Sequence, residues 1–168
     1  MEKNNLVWES SQKIFEQLPK GIFLTVNDGN RMNVMTIGWG NMGFIWRKPI
    51  FIALVRYSRY TYELLEKSGE FAVCVPQKDS LQKELAFCGT KSGRDFDKFA
   101  ECNLTKLKGQ VISAPIIKEC GLHLECKVIY KQGMDQSLLN PKIKDDNYAQ
   151  GDYHVMYYGE IVACYEQK

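Results

Sequence analysis

The sequence predicts a mainly β fold in which an antiparallel barrel, closed or partly closed, carries a few peripheral helices. Six or seven short apolar segments have the composition of strands, and regular helices do not separate them, which disfavours a parallel βαβ sheet. Short strands with this spacing are typical of antiparallel barrels. The length of 168 residues suits one domain, and we expect residues 1–168 to form it.

The first elements follow from apolar spacing and turn residues. Within an N-terminal helical segment, 1–20, Glu9–Leu18 has an apolar face and ends at a Pro-Lys-Gly sequence. Two strands rich in β-branched residues, Gly21–Val26 and Arg31–Ile37, flank Asp28-Gly29, which is typical of a type I′ hairpin turn.

Glycines interrupt the next strand region. Gly38, Gly40 and Gly43 precede a strand at Phe44–Trp46, and glycine inside a strand pattern indicates a bulge or a ligand close to the backbone. Pro49–Arg56 is predicted to be a further strand.

The second half of the chain mixes helices, strands and polar loops. Capping residues and a following glycine define a helix at Ser58–Lys67, and Pro115 argues against a central strand within Glu101–Cys120. The remaining elements are a strand at Phe71–Val75, helical turns at Leu81–Phe87 and Asp95–Ala100, strands at Leu122–Tyr130 and His154–Tyr165, and a long excursion or mobile flap over 131–152.

Composition excludes several classes of protein. Lys+Arg number 22 and Asp+Glu 20, so the net charge of +2 does not indicate a polyanion binder that relies on bulk charge. No apolar run approaches the ~18–20 residues that span a bilayer. The N-terminal sequence lacks the apolar core and cleavage site of a signal peptide, and we expect a cytoplasmic protein.

The cysteines and histidines give no metal-binding pattern. No two of the six cysteines form a CxxC pair, so we expect small buried hydrophobic residues, with a redox or metal role as the alternative. Neither His123 nor His154 has the spacing of a metal ligand. His154 opens a strand at a polar boundary and is the better functional candidate, with a purely structural histidine as the alternative.

Three stretches carry residues suited to a ligand. Arg56–Thr61 joins a strand end to a helix start, where free backbone N–H groups, two arginines and two hydroxyls favour a phosphate, although a plain capping turn is equally compatible. Asn33–Gly40 combines hydrogen-bonding groups with flat or polarisable side chains that suit a planar heterocycle, or else forms a bulged core strand. Cys88–Asp95 and the following Lys98 supply hydroxyls, cations and backbone donors without the order of a P-loop, or else form an exposed loop.

Taken together, these stretches resemble the flavin reductase-like family, an FMN-binding split barrel, and its flavoredoxin-like branch in particular. The residues that carry the resemblance cover about 20–165 in the family's order, and they are N-V-M-T-I-G-W-G from Asn33, W-R-K-P from Trp46, V-R-Y-S-R-Y-T-Y-E from Val55, C-G-T-K-S-G-R-D-F-D-K-F from Cys88, A-P-I-I-K-E-C from Ala114 and H-V-M-Y-Y-G-E-I from His154. One departure is Arg47, where the family pattern leads us to expect a small residue.

The resemblance implies a fold, a cofactor and a set of site residues. The fold would be a six-stranded antiparallel split barrel that forms a homodimer, with FMN near the subunit interface. His154 would lie at the open flavin face, where the nicotinamide donor approaches. The implied FMN-binding residues are Asn33, Met35, Thr36 and Ile37 at the ring, Arg56, Tyr57, Ser58, Arg59 and Thr61 at the phosphate, and Ser92, Gly93, Arg94 and Lys98 as further contacts.

The function implied is an oxidoreductase that passes hydride from NADH or NADPH to FMN. Electrons would then go to free flavin, iron or a redox partner protein. The cofactor would carry out the hydride and electron transfer, so the protein need supply no nucleophile. An FMN electron carrier of flavoredoxin type, without its own NAD(P)H activity, is the alternative, and a small barrel that binds other proteins and no flavin is a third.

Overall fold

The computed structural model describes residues 2–167, with side chains from residue 6 onward. Its helices are α1 (Glu2–Glu9), α2 (Ser11–Gln17), α3 (Tyr60–Ser68), α4 (Gln82–Thr90), α5 (Lys98–Glu101) and α6 (Pro141–Tyr148). Its strands are β1 (Ile22–Asn27), β2 (Met32–Ile37), β3 (Gly40–Ile45), β4 (Lys48–Arg56), β5 (Glu70–Pro76), β6 (Lys106–Leu107), β7 (Ile116–Ile117), β8 (Cys120–Gly133) and β9 (His154–Glu166). The fold is therefore mainly β with peripheral helices, as the sequence predicts.

Seven strands form one antiparallel sheet in the order β2-β1-β5-β8-β9-β4-β3, and β6 pairs with β7 in a separate ribbon. The residue pattern predicts six or seven strands, and the resemblance implies a six-stranded split barrel. Within residues 2–167, β2 and β3 remain edges, so backbone hydrogen bonding does not close the sheet. Strand β3 begins earlier than the predicted Phe44–Trp46, because the glycine-rich segment already pairs with β4 from Gly40.

The sheet separates two apolar cores. On one face, Phe51 and Phe71 meet edge to face at 6.4 Å and pack with the apolar residues of α2 and α3. On the other face, α4, α5 and the β6–β7 ribbon cover Phe23 and Val34. Edge-to-face aromatic pairs of this kind contribute roughly 0.5–1.5 kcal/mol beyond the apolar area that they bury. Since helices cover both faces, the termini and edges of strands remain available for a site.

The buried carboxylate of Glu125 organises the region that the sequence left ambiguous. It accepts hydrogen bonds from the backbone N–H groups of Gln110, Val111 and Ile112, and from the hydroxyl of Tyr165 at 2.6 Å. Several donors to one ionised group offset its desolvation, and they lower the pKa of Glu125 although burial opposes them. This residue therefore fixes the loop that covers the second core.

The excursion at 131–152 is anchored to the rest of the fold. Strand β8 continues to Gly133, a short 3₁₀ turn follows, and α6 begins at Pro141 after the capping residue Asn140. Its end is held by Asp152, whose carboxylate accepts hydrogen bonds from both the backbone N–H and the hydroxyl of Ser58. These contacts hold the end of the excursion beside β9, the strand that carries His154.

Four of the six cysteines are buried and two are half-buried, and all six are free thiols. Among residues 2–167, no helix is long and apolar enough to cross a membrane.

Candidate functional site

Three adjacent cavities form one groove along the edge of β2. The inner cavity, about 180 Å³, is lined by Met35, Thr36, Ile37, Gly38, Trp39, Leu54, Arg56, Arg59 and His154. The cationic cavity, about 110 Å³, is lined by Asn33, Met35, residues 58–61, residues 88–94 and Lys98. The outer cavity, about 630 Å³, is lined by residues 30–33, Tyr60, residues 93–98 and Lys106. Met35 and Arg59 join the first two cavities, and Asn33, Tyr60, Gly93, Arg94 and Lys98 join the second to the third.

The edge position of β2 gives the groove a polar backbone wall. Strand β2 pairs with β1 along one side only, from Met32 to Ile37. An edge strand presents a row of unpaired N–H and C=O groups on its free side. A planar heterocycle with donors and acceptors along one edge fits such a wall.

Lys98 places a buried positive charge at the cationic cavity. Its side chain is 4% exposed, and its ammonium donates to the carbonyls of Cys88 at 3.0 Å and Lys91 at 3.2 Å. Both partners are neutral, and no carboxylate among the described residues forms an ion pair with this ammonium. Burial and the nearby Arg59 lower the pKa of Lys98 to about 8. A buried cation without a counter-charge favours an anionic ligand.

The first turn of α3 forms the opposite wall of the cationic cavity. Asn33 donates to the Thr61 hydroxyl at 2.9 Å, and both side chains are buried. Arg59, the residue before the helix, is exposed and forms no side-chain hydrogen bond with a described residue. Helix N-termini present free N–H groups and favour negative charge. Arg59 is thus an available cation between the inner and cationic cavities.

Gly93 allows the loop after α4 to approach this wall. A Cβ atom at Gly93 would lie 2.2 Å from the Asn33 side-chain oxygen and 2.8 Å from the Tyr60 ring. The neighbouring Ser92 hydroxyl accepts from the Arg94 backbone N–H at 3.2 Å, and it retains its own proton to donate. Only glycine permits this contact, so the loop closes the cationic cavity at this residue.

Arg56, Ser58 and Arg94 lie in the groove, and other groups of the protein already bind some of their donors. Arg56 donates to the carbonyls of Asn147 and Asp152, and Ser58 donates to the Asp152 carboxylate. Arg94 forms an ion pair with Glu63 and donates to the Ser58 carbonyl. The sequence assigned Arg56 and Ser58 to a phosphate. In the structure Arg56 lines the inner cavity, and both residues hold the end of the excursion.

Tyr57 is the one predicted site residue that lies outside all three cavities. Its ring packs edge to face on Tyr62 at 5.1 Å and is 46% exposed. Its neighbours Arg56 and Ser58 line the inner and cationic cavities, respectively. The structure therefore does not place Tyr57 beside the other predicted FMN-binding residues.

His154 lines the inner cavity. It is 7% exposed, its Nδ1 lies 2.7 Å from the Tyr148 hydroxyl oxygen, and its ring is 5.2 Å from that of Trp39. Burial and Arg56 lower the pKa of His154 to about 4, so the imidazole is neutral at neutral pH. The inner cavity thus combines apolar side chains such as Met35 and Leu54 with two arginines and one uncharged hydrogen-bonding ring.

A sequence comparison identifies the family of this chain. The profile of the flavin reductase like domain matches residues 15–168, which include every residue that lines the three cavities. The chain belongs to this family. Its fold and the order of its site stretches agree with the resemblance found in the sequence.

Several relatives of this flavin reductase-like chain support the assignment. An uncharacterized protein of Archaeoglobus fulgidus is 33% identical over 111 residues, which are 66% of this chain and 62% of that protein. The crystal structure of a flavoredoxin from Methanosarcina acetivorans matches with a TM-score of 0.68 and 28% identity, covering 88% of this chain and 68% of that one. An NADH:FAD oxidoreductase of Streptomyces globisporus shares the fold, with a TM-score of 0.66 and 19% identity over 88% of this chain and 75% of that one.

Sequence analysis missed two residues that shape the site of this flavin reductase-like chain. Tyr148 and Asp152 both belong to the excursion, and they contact His154 and Ser58, respectively. The Asn140-Pro141 pair is a recognisable helix start, and it could have predicted α6. The contact of Asp152 with Ser58 joins distant parts of the chain, and that of Tyr148 with His154 spans a loop of irregular structure, so neither follows from a local pattern.

Proposed function

We propose that this chain binds FMN in the groove and acts as an oxidoreductase that accepts hydride from NADH or NADPH. The observation that carries the proposal is the uncompensated buried cation of Lys98 in a cavity that adjoins the inner cavity and the free edge of β2. A phosphorylated flavin matches this arrangement, because it joins a dianion to a flat ring with a polar edge.

The residues at the cationic cavity fit the phosphate end of FMN. Lys98 has two of its three donors bound to carbonyls, and the third remains for an anion. Arg59 and Ser92 add a free cation and a hydroxyl donor, and the first turn of α3 adds backbone N–H groups. Charge-assisted hydrogen bonds of this type contribute about 1.5–3 kcal/mol each.

The residues at the inner cavity fit the ring end. Met35, Ile37 and Leu54 supply apolar contact, and the backbone of β2 supplies hydrogen bonds to the polar edge of the ring. A bound FMN would supply the acceptor for hydride and the means of passing electrons onward, to free flavin, iron or a protein. The chain itself orients the two ligands and limits the access of water, while His154 lies where a nicotinamide would enter.

The binding proposal is tested by titrating the protein with FMN and with riboflavin, which lacks the phosphate. FMN should bind at least tenfold more tightly, which corresponds to about 1.4 kcal/mol. Equal dissociation constants would show that the cationic cavity does not bind the phosphate of FMN.

An FMN electron carrier without nicotinamide activity is the second candidate function. The likeness to the Methanosarcina flavoredoxin, at 28% identity, supports it. Anaerobic addition of NADH or NADPH to the FMN-loaded protein separates the two, because only a reductase bleaches the flavin absorbance.

We also propose that the chain forms a homodimer. Phe44 and Trp46 at the β3–β4 hairpin are 63% and 56% exposed, and Trp46 contacts Tyr130 and Tyr158. Trp46 and Arg47 both adopt left-handed backbone angles, with φ of 53° and 59°, which disfavour residues other than glycine. A strained turn that presents aromatic side chains to solvent supports an interaction surface.

A further inference from the structure

Tyr148 ends the last helix of the excursion and contacts His154, which lines the inner cavity. It is 4% exposed, although the residues around it in the excursion are mostly exposed. Its ring stacks on Tyr153 at 4.9 Å with an interplanar angle of 17°, and the Arg56 guanidinium lies 5.0 Å from the ring centroid. Packing on two sides therefore fixes the direction of its hydroxyl.

That hydroxyl has one partner among the described residues, the Nδ1 atom of His154 at 2.7 Å. A neutral imidazole has one N–H donor and one lone-pair acceptor, and a phenol hydroxyl can donate one proton. If Nδ1 carried the proton, the buried hydroxyl of Tyr148 would have no acceptor for its own. The arrangement that uses both groups has Tyr148 donating to Nδ1, which leaves the proton of the imidazole on Nε2.

The charged groups around His154 disfavour its protonation. Arg56 on β4 and Arg59 before α3 repel a second positive charge, and only Asp152, just before β9, opposes them. Tyr148 on α6 keeps its proton at neutral pH, because burial raises its pKa. Both partners are thus uncharged over the physiological range.

We propose that Tyr148 is a positioning residue that holds His154 as the neutral tautomer protonated at Nε2. His154 then offers the inner cavity one N–H donor and no acceptor or charge, so it recognises a carbonyl or amide oxygen. The nicotinamide carboxamide is such an acceptor, and that part of the inference rests on the proposed function. His154 orients its ligand in this scheme and transfers no proton to it.

Nitrogen-15 NMR tests the tautomer directly on the flavin-free protein. Two-bond correlations from the imidazole carbon protons distinguish a protonated nitrogen from one with a lone pair, and His154→Gln assigns the signals against His123. We expect His154 to show a proton on Nε2 and a lone pair on Nδ1, with no titration from about pH 8 down to about pH 5. A proton on Nδ1, or a midpoint near the ordinary value of about 6.5, would overturn the proposal.

Two variants separate positioning from structure. Tyr148→Phe retains the ring and removes the hydroxyl, so His154 should become a mixture of tautomers. Tyr153→Phe is the matched control: it removes a neighbouring hydroxyl that contacts Gln136, and it should leave the His154 spectrum unchanged. An unaltered His154 spectrum in Tyr148→Phe would contradict the inference.

Kinetics with the FMN-loaded protein adds a second readout. Tyr148→Phe should keep the dissociation constant of FMN and slow reduction by NADH or NADPH about tenfold, whereas Tyr153→Phe should match the wild type. If His154 shows the expected tautomer but neither NADH nor NADPH reduces the bound flavin, the proposed reductase function is refuted and the role of Tyr148 stands. A Tyr148→Phe protein with the wild-type rate would refute the positioning role.

Discussion

Replacing Lys98 by methionine isolates the contribution of one buried charge to ligand binding. The side chain is 4% exposed, and its pKa falls from 10.5 to about 8, which corresponds to a cost of about 3 kcal/mol for keeping it charged at neutral pH. A phosphate dianion would offset part of that cost and form a charge-assisted hydrogen bond. Losing such a bond removes about 1.5–3 kcal/mol, so the FMN dissociation constant should rise roughly 10- to 150-fold.

Riboflavin provides the internal comparison for this variant. It lacks the phosphate, so its affinity should be the same in Lys98→Met and in the wild type. Methionine removes the cost of the buried charge, which raises the melting temperature. It also leaves two carbonyls without a donor, which lowers the melting temperature, so the two effects oppose each other. Lys83→Met is the matched control, because Lys83 is an exposed lysine on α4 that lines none of the three cavities.

Fluorescence titration of both flavins against the three proteins gives the result. A selective loss of FMN affinity in Lys98→Met supports the phosphate assignment. A parallel loss for riboflavin would show that Lys98 only supports the loop, and an unchanged FMN affinity would refute the reasoning.

Four further outcomes are expected. The affinity of the wild type for FMN should fall as pH rises above about 8, because Lys98 then loses the proton that the phosphate requires, and the affinity for riboflavin should stay level. The folded-state pKa of His154, about 4, is below its unfolded value of 6.5, so unfolding takes up a proton between these pH values. As pH falls from 6.5 to 4, the free energy of unfolding measured by chemical denaturation should decrease by up to about 3 kcal/mol more in the wild type than in His154→Gln. An identical decrease in both proteins would contradict the lowered pKa of His154. Asp152→Ala removes the anchor of the excursion, so limited proteolysis should cut residues 134–151 faster than in the wild type, and equal rates would count against that anchor. Light scattering should give a dimer mass for the wild type and a monomer mass for the double variant Phe44→Ser, Trp46→Ser; a monomeric wild type would refute the homodimer.

The sequence predicted the parts of the fold that local patterns encode. Strand segments such as Pro49–Arg56 and His154–Tyr165 show the alternation and β-branched composition that the structure uses in β4 and β9. The end of helix α3 follows from Gly69, which adopts φ of 63° after the last turn, whereas its start differs: the helix begins at Tyr60, and the N-cap residue Arg59 forms no side-chain capping hydrogen bond. The order of the strands and the open edges of the sheet depend on pairs that are distant in the chain, such as β4 with β9, and no local pattern encodes them.

The structure brings together residues from the three stretches that the sequence singled out. Asn33, Arg59 and Lys98 lie far apart in the sequence and line one cavity in the structure. Arg56 and Ser58 also bond to the distant excursion, and local sequence could not show that these contacts use some of their donors. The binding of FMN by these residues stays a prediction.

An anaerobic absorbance spectrum of the FMN-loaded protein, recorded before and after NADH and then NADPH, tests the proposed function most directly. Because the inner cavity adjoins the proposed phosphate site and is lined by the neutral imidazole of His154, we predict that at least one nicotinamide bleaches the flavin band with saturation kinetics. A flavin that stays oxidised with both nicotinamides, yet is reduced by dithionite, would contradict the reductase and identify an electron carrier.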